Sequence, residues 1–149
     1  MKRDPRLQPL SSDHHHALVL ARHAERAAQA DAAADAAWHT VRSRFHAELA
    51  PHFEIEERIL LPALDAAGHT SLADRTRADH AAIRACVSDE APADTRAALA
   101  RFAELVTTHI RFEERVLFEA AQDSLPDAAL DAVLRASGSA TRGARDTRR

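Results

Sequence analysis

His52-Phe53-Glu54-Ile55-Glu56-Glu57-Arg58-Ile59-Leu60 and His109-Ile110-Arg111-Phe112-Glu113-Glu114-Arg115-Val116-Leu117 share one pattern, His-x-x-x-Glu-Glu-Arg-aliphatic-Leu. Residues four apart on an α-helix lie on one face, one turn apart, so each copy sets an imidazole beside a carboxylate. Each copy also falls among apolar residues: Phe53, Ile59 and Leu60 in one, Phe112, Val116 and Leu117 in the other. A single such pair would read as a solvated helix face. Two pairs in matching apolar settings read as a core site. A weaker match joins His15-His16-Ala17-Leu18 to His80-Ala81-Ala82-Ile83, a histidine with an aliphatic residue three positions on. Two halves stacked about a pseudo-twofold axis would bring four histidines and two carboxylates together. Imidazole with carboxylate suits iron, manganese or zinc more than calcium, which prefers oxygen ligands. Without a metal, such carboxylates would be costly to bury.

Around this repeat the chain reads as helices. It has 149 residues, 46% of them hydrophobic, with only three glycines and six prolines. That is one domain's length, rich in alanine and poor in turn formers. Ser12 or Asp13 can cap a first helix, and Asp31 or Asp35 a second. The second carries Trp38, Val41, Phe45, Leu49, Phe53, Ile59 and Leu60 at a helical period, with a kink expected near Ala47 to Pro51 and an end at Pro62 to Gly68. Ser71 and Asp74 resemble a capping box for a third helix, lined by Leu72, Ile83 and Val87. Asp94 or Thr95 caps a fourth, with Leu99, Phe102, Leu105, Val106, Phe112, Val116 and Leu117 as its stripe. A short fifth helix runs from Ser124-Leu125-Pro126-Asp127 to Leu134. The expected fold is all-α, an up-down-up-down four-helix bundle with a short C-terminal fifth helix. The expected divisions are an irregular lead-in over 1–11, the bundle over 12–136 and a flexible, arginine-rich tail over 137–149.

Composition excludes several classes. One cysteine, Cys86, allows neither an intrachain disulfide nor a multi-cysteine metal site, and reads as core packing. A formal charge of −3 argues against nucleic acid as a partner. No apolar run approaches the roughly 18 residues of a membrane span, and the N-terminus reads as no secretory signal, so a cytoplasmic protein is expected. The absence of tyrosine rules out a tyrosine ligand or radical. Glu57, Glu114, Arg58 and Arg115 read as outward-facing pairs. Ferritin-like di-iron proteins use the reverse order, Glu-x-x-His, and His-Glu-x-x-His is absent.

The order His, His-x-x-x-Glu, His, His-x-x-x-Glu resembles the hemerythrin-like, or HHE cation-binding, domain over about residues 12–120. The resemblance implies a bundle enclosing two iron ions, oxo- or hydroxo-bridged. It also implies a small diatomic ligand or peroxide, and a role in binding or sensing oxygen, nitric oxide, peroxide or iron and redox state. A small di-iron enzyme turning over peroxide or nitric oxide is the alternative. With no output domain, a sensor would signal through an unidentified protein partner. By the resemblance the metal ligands are His15, His52, Glu56, His80, His109 and Glu113. His14 and His16 neighbour His15 at about 100° to either side, and either is open as the first-helix ligand. Glu113 is chosen because the repeat pairs it with Glu56; oxygen carriers of the family use the following position, here Glu114. Those carriers also have two third-helix histidines four apart, whereas Thr76 and Arg84 flank His80 here. His23 and His46 are candidate replacements. Phe53 and Phe112 are expected to limit water access.

Overall fold

The computed structural model describes residues 2–30 and 33–146, with side chains described as far as Gly138. Helix α1 spans Gln8–Gln29. A second rod is built of α2 (Ala34–Arg44), α3 (Ala50–Ile55) and α4 (Leu61–Ala66), joined through π-helical turns at Phe45–Leu49 and Glu56–Leu60. Helix α5 spans Thr70–Ser88. A fourth rod joins α6 (Thr95–Phe112) to α7 (Phe118–Ser124) through a π turn at Glu113–Leu117. Helix α8 covers Asp127–Asp146. The described residues contain no strand.

The π turns have readable causes. Pro51 and Pro62 would collide with the carbonyls of Ala47 and Arg58 in a regular α-helix. Each lies just after a π turn, in which Ala50 N–H reaches back to Phe45 O and Leu61 N–H to Glu56 O. The expected kink at Ala47 to Pro51 is thus a widened turn. Pro62 does not end the rod. Gly68 does, at φ +91°, with His69 N–H on Leu64 O and Gly68 N–H on Asp65 O. Glycine supplies the left-handed residue that this closing turn needs. The third π turn has no proline, but like the second it begins at a Glu-Glu-Arg of the repeat. Its extra residue rotates Val116 outward, where it is 43% exposed. π turns of this kind are common at functional sites.

The ends of the helices differ from expectation. Helix α1 starts at Gln8, because Leu7 and Leu10 are buried and Pro9 costs nothing in a first turn. Ser12 and Asp13 lie inside it. The cap expected at Asp31 falls outside the described residues, and Asp35 sits in the first turn of α2. Helix α5 begins at Thr70 without a side-chain cap, and Asp74 pairs with Arg77 instead. Asp94 does cap α6, accepting from Ala97 N–H. Helix α8 runs well past Leu134, to Asp146, and is longer than the short fifth helix expected; 147–149 lie outside the described residues. Leu130 and Val133 anchor it.

Two apolar clusters flank the middle of the molecule. One gathers Ala17 to Ala24, Trp38 to Phe53, Ile83, Val87 and Leu99 to Ile110. The other gathers Leu7, Leu10, Ile55 to Leu64, Ala73, Phe112 to Leu125, Leu130 and Val133. The chain passes from one to the other and back on successive rods. Each rod carries its repeat histidine or glutamate at the crossing. Helix α1 lies along α6, α5 also packs on α6, and α8 crosses the Glu56–Leu60 turn. No helix among the described residues is long and apolar enough to cross a membrane.

Candidate metal centre

Between the two clusters lie His14, His52, Glu56, His80, His109 and Glu113, all buried to 2% exposure or less. The sequence match through Leu18 points to His15. The structure places His15 on the solvent side of α1 and His14 in the cluster. The reason is the helical period: Leu10, His14, Ala17, Ala21 and Ala24 form the buried stripe, and His15 is turned away from it. His16, His23 and His46 are exposed as well. Thr76, one turn before His80, is fully buried, and its hydroxyl donates to Leu72 O. Among the described residues four histidines converge, with no fifth.

Their donor atoms fall into two groups, His14–His52–Glu56–Glu113 and Glu56–His80–His109–Glu113, each with one atom per residue within 4.8 Å of the others. Both glutamates belong to both groups. Glu113 Oε2 lies 2.8 Å from His14 Nε2 and 3.9 Å from His52 Nε2, while its Oε1 lies 2.7 Å from His109 Nε2 and 3.5 Å from His80 Nε2. Glu56 Oε1 contacts His52 Nε2, and Glu56 Oε2 lies 3.7 Å from His80 Nε2. Each carboxylate therefore offers one oxygen to each group.

The outward edge of every imidazole is held by a second carboxylate. Nδ1 of His14 meets Glu114 at 2.7 Å, that of His52 meets Asp13 at 3.0 Å, that of His80 meets Glu57 at 2.7 Å, and that of His109 meets Asp79 at 3.0 Å. A carboxylate at Nδ1 keeps a proton there, so that a cation displacing the Nε2 proton would meet the inward-facing lone pair. These four acids were not anticipated. Glu57 and Glu114 turn inward instead of pairing with Arg58 and Arg115. The sequence signal was present: Asp precedes His at both Asp13-His14 and Asp79-His80, which also selects His14 over His15. Phe53 stacks on His80 at 3.7 Å and Phe118 on His14 at 5.1 Å. Phe112, the ring expected here, lies instead under Arg75 at 3.9 Å.

Several of these atoms lack any hydrogen-bond partner. They are His52 Nε2, His80 Nε2, His109 Nε2, both oxygens of Glu56 and Glu113 Oε1. Buried polar atoms are rarely left so. A set of imidazole nitrogens and carboxylate oxygens turned toward one another, in contact but without hydrogen-bond geometry, fits metal cations.

The charges of the metal-free chain follow from the same geometry. Burial alone pushes His52, His109 and His14 down. The facing carboxylates outweigh it, raising His52 well above the usual histidine value of 6.5 and His109 to about 10. Burial and the charge of Glu113 raise Glu56. Burial would raise Glu113 too, but His109 and its other partners hold it well below 4.5. A raised histidine contributes stability that is full below 6.5 and is lost as pH rises through its folded value, about 10 for His109. The raised Glu56 acts in the same direction. The depressed Glu113 contributes only above its unfolded value of 4.5 and loses that contribution in acid, as pH falls through its lower folded value. The metal-free chain should therefore melt at progressively lower temperature from pH 7 to pH 10. A melting temperature that is flat or rising over that range contradicts this charge assignment.

Residues 7–121 match the family model of the hemerythrin HHE cation-binding domain. No curated protein and no solved structure matches the chain significantly.

Proposed function

The chain belongs to the hemerythrin HHE cation-binding domain family, and on that premise we propose that it is an up-down four-helix bundle holding two iron ions. The alternating passage of the rods between two apolar clusters supports the bundle. The observation that carries the pair of ions is the division of Glu56 and Glu113, one oxygen to each group of ligands. His14 and His52 would hold one ion, His80 and His109 the other, and both glutamates would bridge. When bound, the ions would supply Lewis acidity and one-electron redox change toward oxygen, nitric oxide or peroxide.

The chain's own groups define what such a site does. Two imidazoles and the two shared carboxylates would be offered to each ion, a set small enough to leave room for a small ligand. Phe53 and Phe118 lie flat against two of the imidazoles and keep water from that side. The four outer carboxylates fix ring orientation and raise ligand basicity. We read the protein as a module that binds or senses a small diatomic molecule, peroxide or iron and redox state. Turnover of peroxide or nitric oxide is the second reading. Thr76 favours it, since a committed hydroxyl stands where a fifth imidazole would close a position.

Metal content tests the assignment. The purified, iron-reconstituted chain should carry about two irons with near-ultraviolet charge-transfer absorption. His14→Ala should reduce this to about one, and His15→Ala should leave it unchanged. Equal loss in the two variants, or no bound metal in the parent, would overturn it.

A further inference from the structure

Two arginines stand behind the site in matching positions. Arg84 Nη1 donates to Glu57 Oε2 at 2.6 Å and Arg84 Nη2 to Glu57 Oε1 at 2.9 Å, and the same Glu57 Oε2 holds His80 Nδ1. Arg84 also lies 5.5 Å from the Phe53 ring that stacks on His80. On the other side, Arg3 Nη2 donates to Glu114 Oε2 at 2.8 Å and to Glu114 O at 2.7 Å, and Glu114 holds His14 Nδ1. Arg3 lies 5.3 Å from Phe118, which stacks on His14. Arginine, glutamate, histidine and phenylalanine thus recur twice in one spatial relation.

The two arginines do not come from the sequence repeat. Arg84 is one turn beyond His80 on α5. Arg3 precedes α1 and is held in place by Gln122, which accepts from Arg3 Nη1 and from Asp4 N–H. Unrelated positions have arrived at the same contact. The other two outer acids are held differently: Asp13 is 46% exposed, and Arg75 Nε stands 4.0 Å from Asp79. A half-exposed ion pair by itself is worth little stability. Here each pair fixes the rotamer of a glutamate whose oxygen orients an inward-facing imidazole, and it does so for one imidazole of each ligand group.

We infer that Arg84 and Arg3 are positioning residues, each setting metal affinity in one half of the site alone: Arg84 through Glu57 and His80, Arg3 through Glu114 and His14. This rests on the two-metal reading above. The guanidinium fork locks its glutamate with paired or forked hydrogen bonds, which an ammonium group copies only in part.

The test uses cobalt(II) titration of the metal-free full chain in a His14→Ala background, where only the His80–His109 half remains intact. Arg84→Met should weaken that remaining position about tenfold, the low end of what loss of an outer partner costs, and Arg84→Lys should recover part of it. Arg3→Met should not change it. In a His109→Ala background the two arginines should exchange roles. Equal effects of the two substitutions in either background, or none, overturn the inference, since a merely structural role would lower melting temperature without this selectivity. A second readout needs no metal. In the 15N-labelled metal-free chain, the His80 Nδ1–H resonance should be protected from exchange, lost in Arg84→Met and kept in Arg3→Met. Its persistence in Arg84→Met overturns the inference. Failure of the parent to take up cobalt overturns the two-metal reading, and the resonance still decides the role of Arg84.

Discussion

Glu113→Gln abolishes uptake of the second metal ion and weakens the first at least about a hundredfold, beyond the roughly 10- to 100-fold cost of losing an outer partner of a ligand. The change is nearly isosteric, so the fold is preserved. The chemistry is not. Glu113 Oε2 faces His14 and His52, and Oε1 faces His109 and His80. An amide keeps one oxygen and replaces the other with an NH2 group that has no lone pair for a metal. One half therefore loses a ligand outright. Both halves lose one of the two inward-facing negative charges, leaving Glu56 as the carboxylate common to both. His14→Ala, by contrast, touches one group only. Metal analysis of the two variants side by side separates the cases. Glu113→Gln that retains one tightly held ion would mean that Glu113 does not bridge, and that Glu56 alone joins the halves.

The repeat His-x-x-x-Glu-Glu-Arg-aliphatic-Leu identified four of the six clustered residues, because four-residue spacing translates directly into a shared helix face, and the weaker match through Ile83 supplied His80. The sixth failed for a physical reason. In a run of three histidines, the +3 aliphatic residue is a weaker guide than the whole buried stripe, and Leu10, Ala17, Ala21 and Ala24 select His14. The outer carboxylates were legible only in part. Asp13-His14 and Asp79-His80 repeat in sequence, but each aspartate serves the histidine of a neighbouring rod. That crossing depends on tertiary packing. Glu57 and Glu114 looked like solvated charges because a regular α-helix would have pointed them outward. Each sits at the start of a π turn, where the geometry departs from that expectation. Arg3 was hidden altogether, since a short pre-helical segment carries no period to read. Helix α8 was underestimated because Ser137 and Gly138 resemble a helix end, although the Ser137 hydroxyl is satisfied by Val133 O and the helix continues.

Replacing His52 and Glu56 together with leucine should make the metal-free chain more stable. Both Glu56 oxygens are buried without a hydrogen bond, and burial together with Glu113 raises its pKa. Burial opposes the charged form of its neighbour His52 as well. Replacing both members of a buried ion pair with apolar side chains of similar volume commonly gains about 1–4 kcal/mol, whereas removing one member alone strands the other. Glu56→Leu alone would strand a His52 whose pKa is held well above 6.5, so both members are replaced, and the gain falls toward the lower end because Asp13 gives up its contact with His52 Nδ1. For a chain of this length it amounts to a few degrees in melting temperature, about 2–4 °C per kcal/mol. The advantage should widen as pH rises through the raised Glu56 value, where the parent carries the buried charge, and narrow in acid, where protonation relieves it. Added metal should reverse the order. Ligand at a hundred times its dissociation constant stabilises a folded protein by about 2.7 kcal/mol, and the variant, lacking a bridge, should gain little of this. Thermal melts in chelator and in excess iron(II) or cobalt(II) supply the comparison. A variant less stable than the parent in chelator would mean that the His52–Glu56 pair itself holds the metal-free core together. A crossing of the two orders would mean that the core is built against its own apolar packing in order to receive cations.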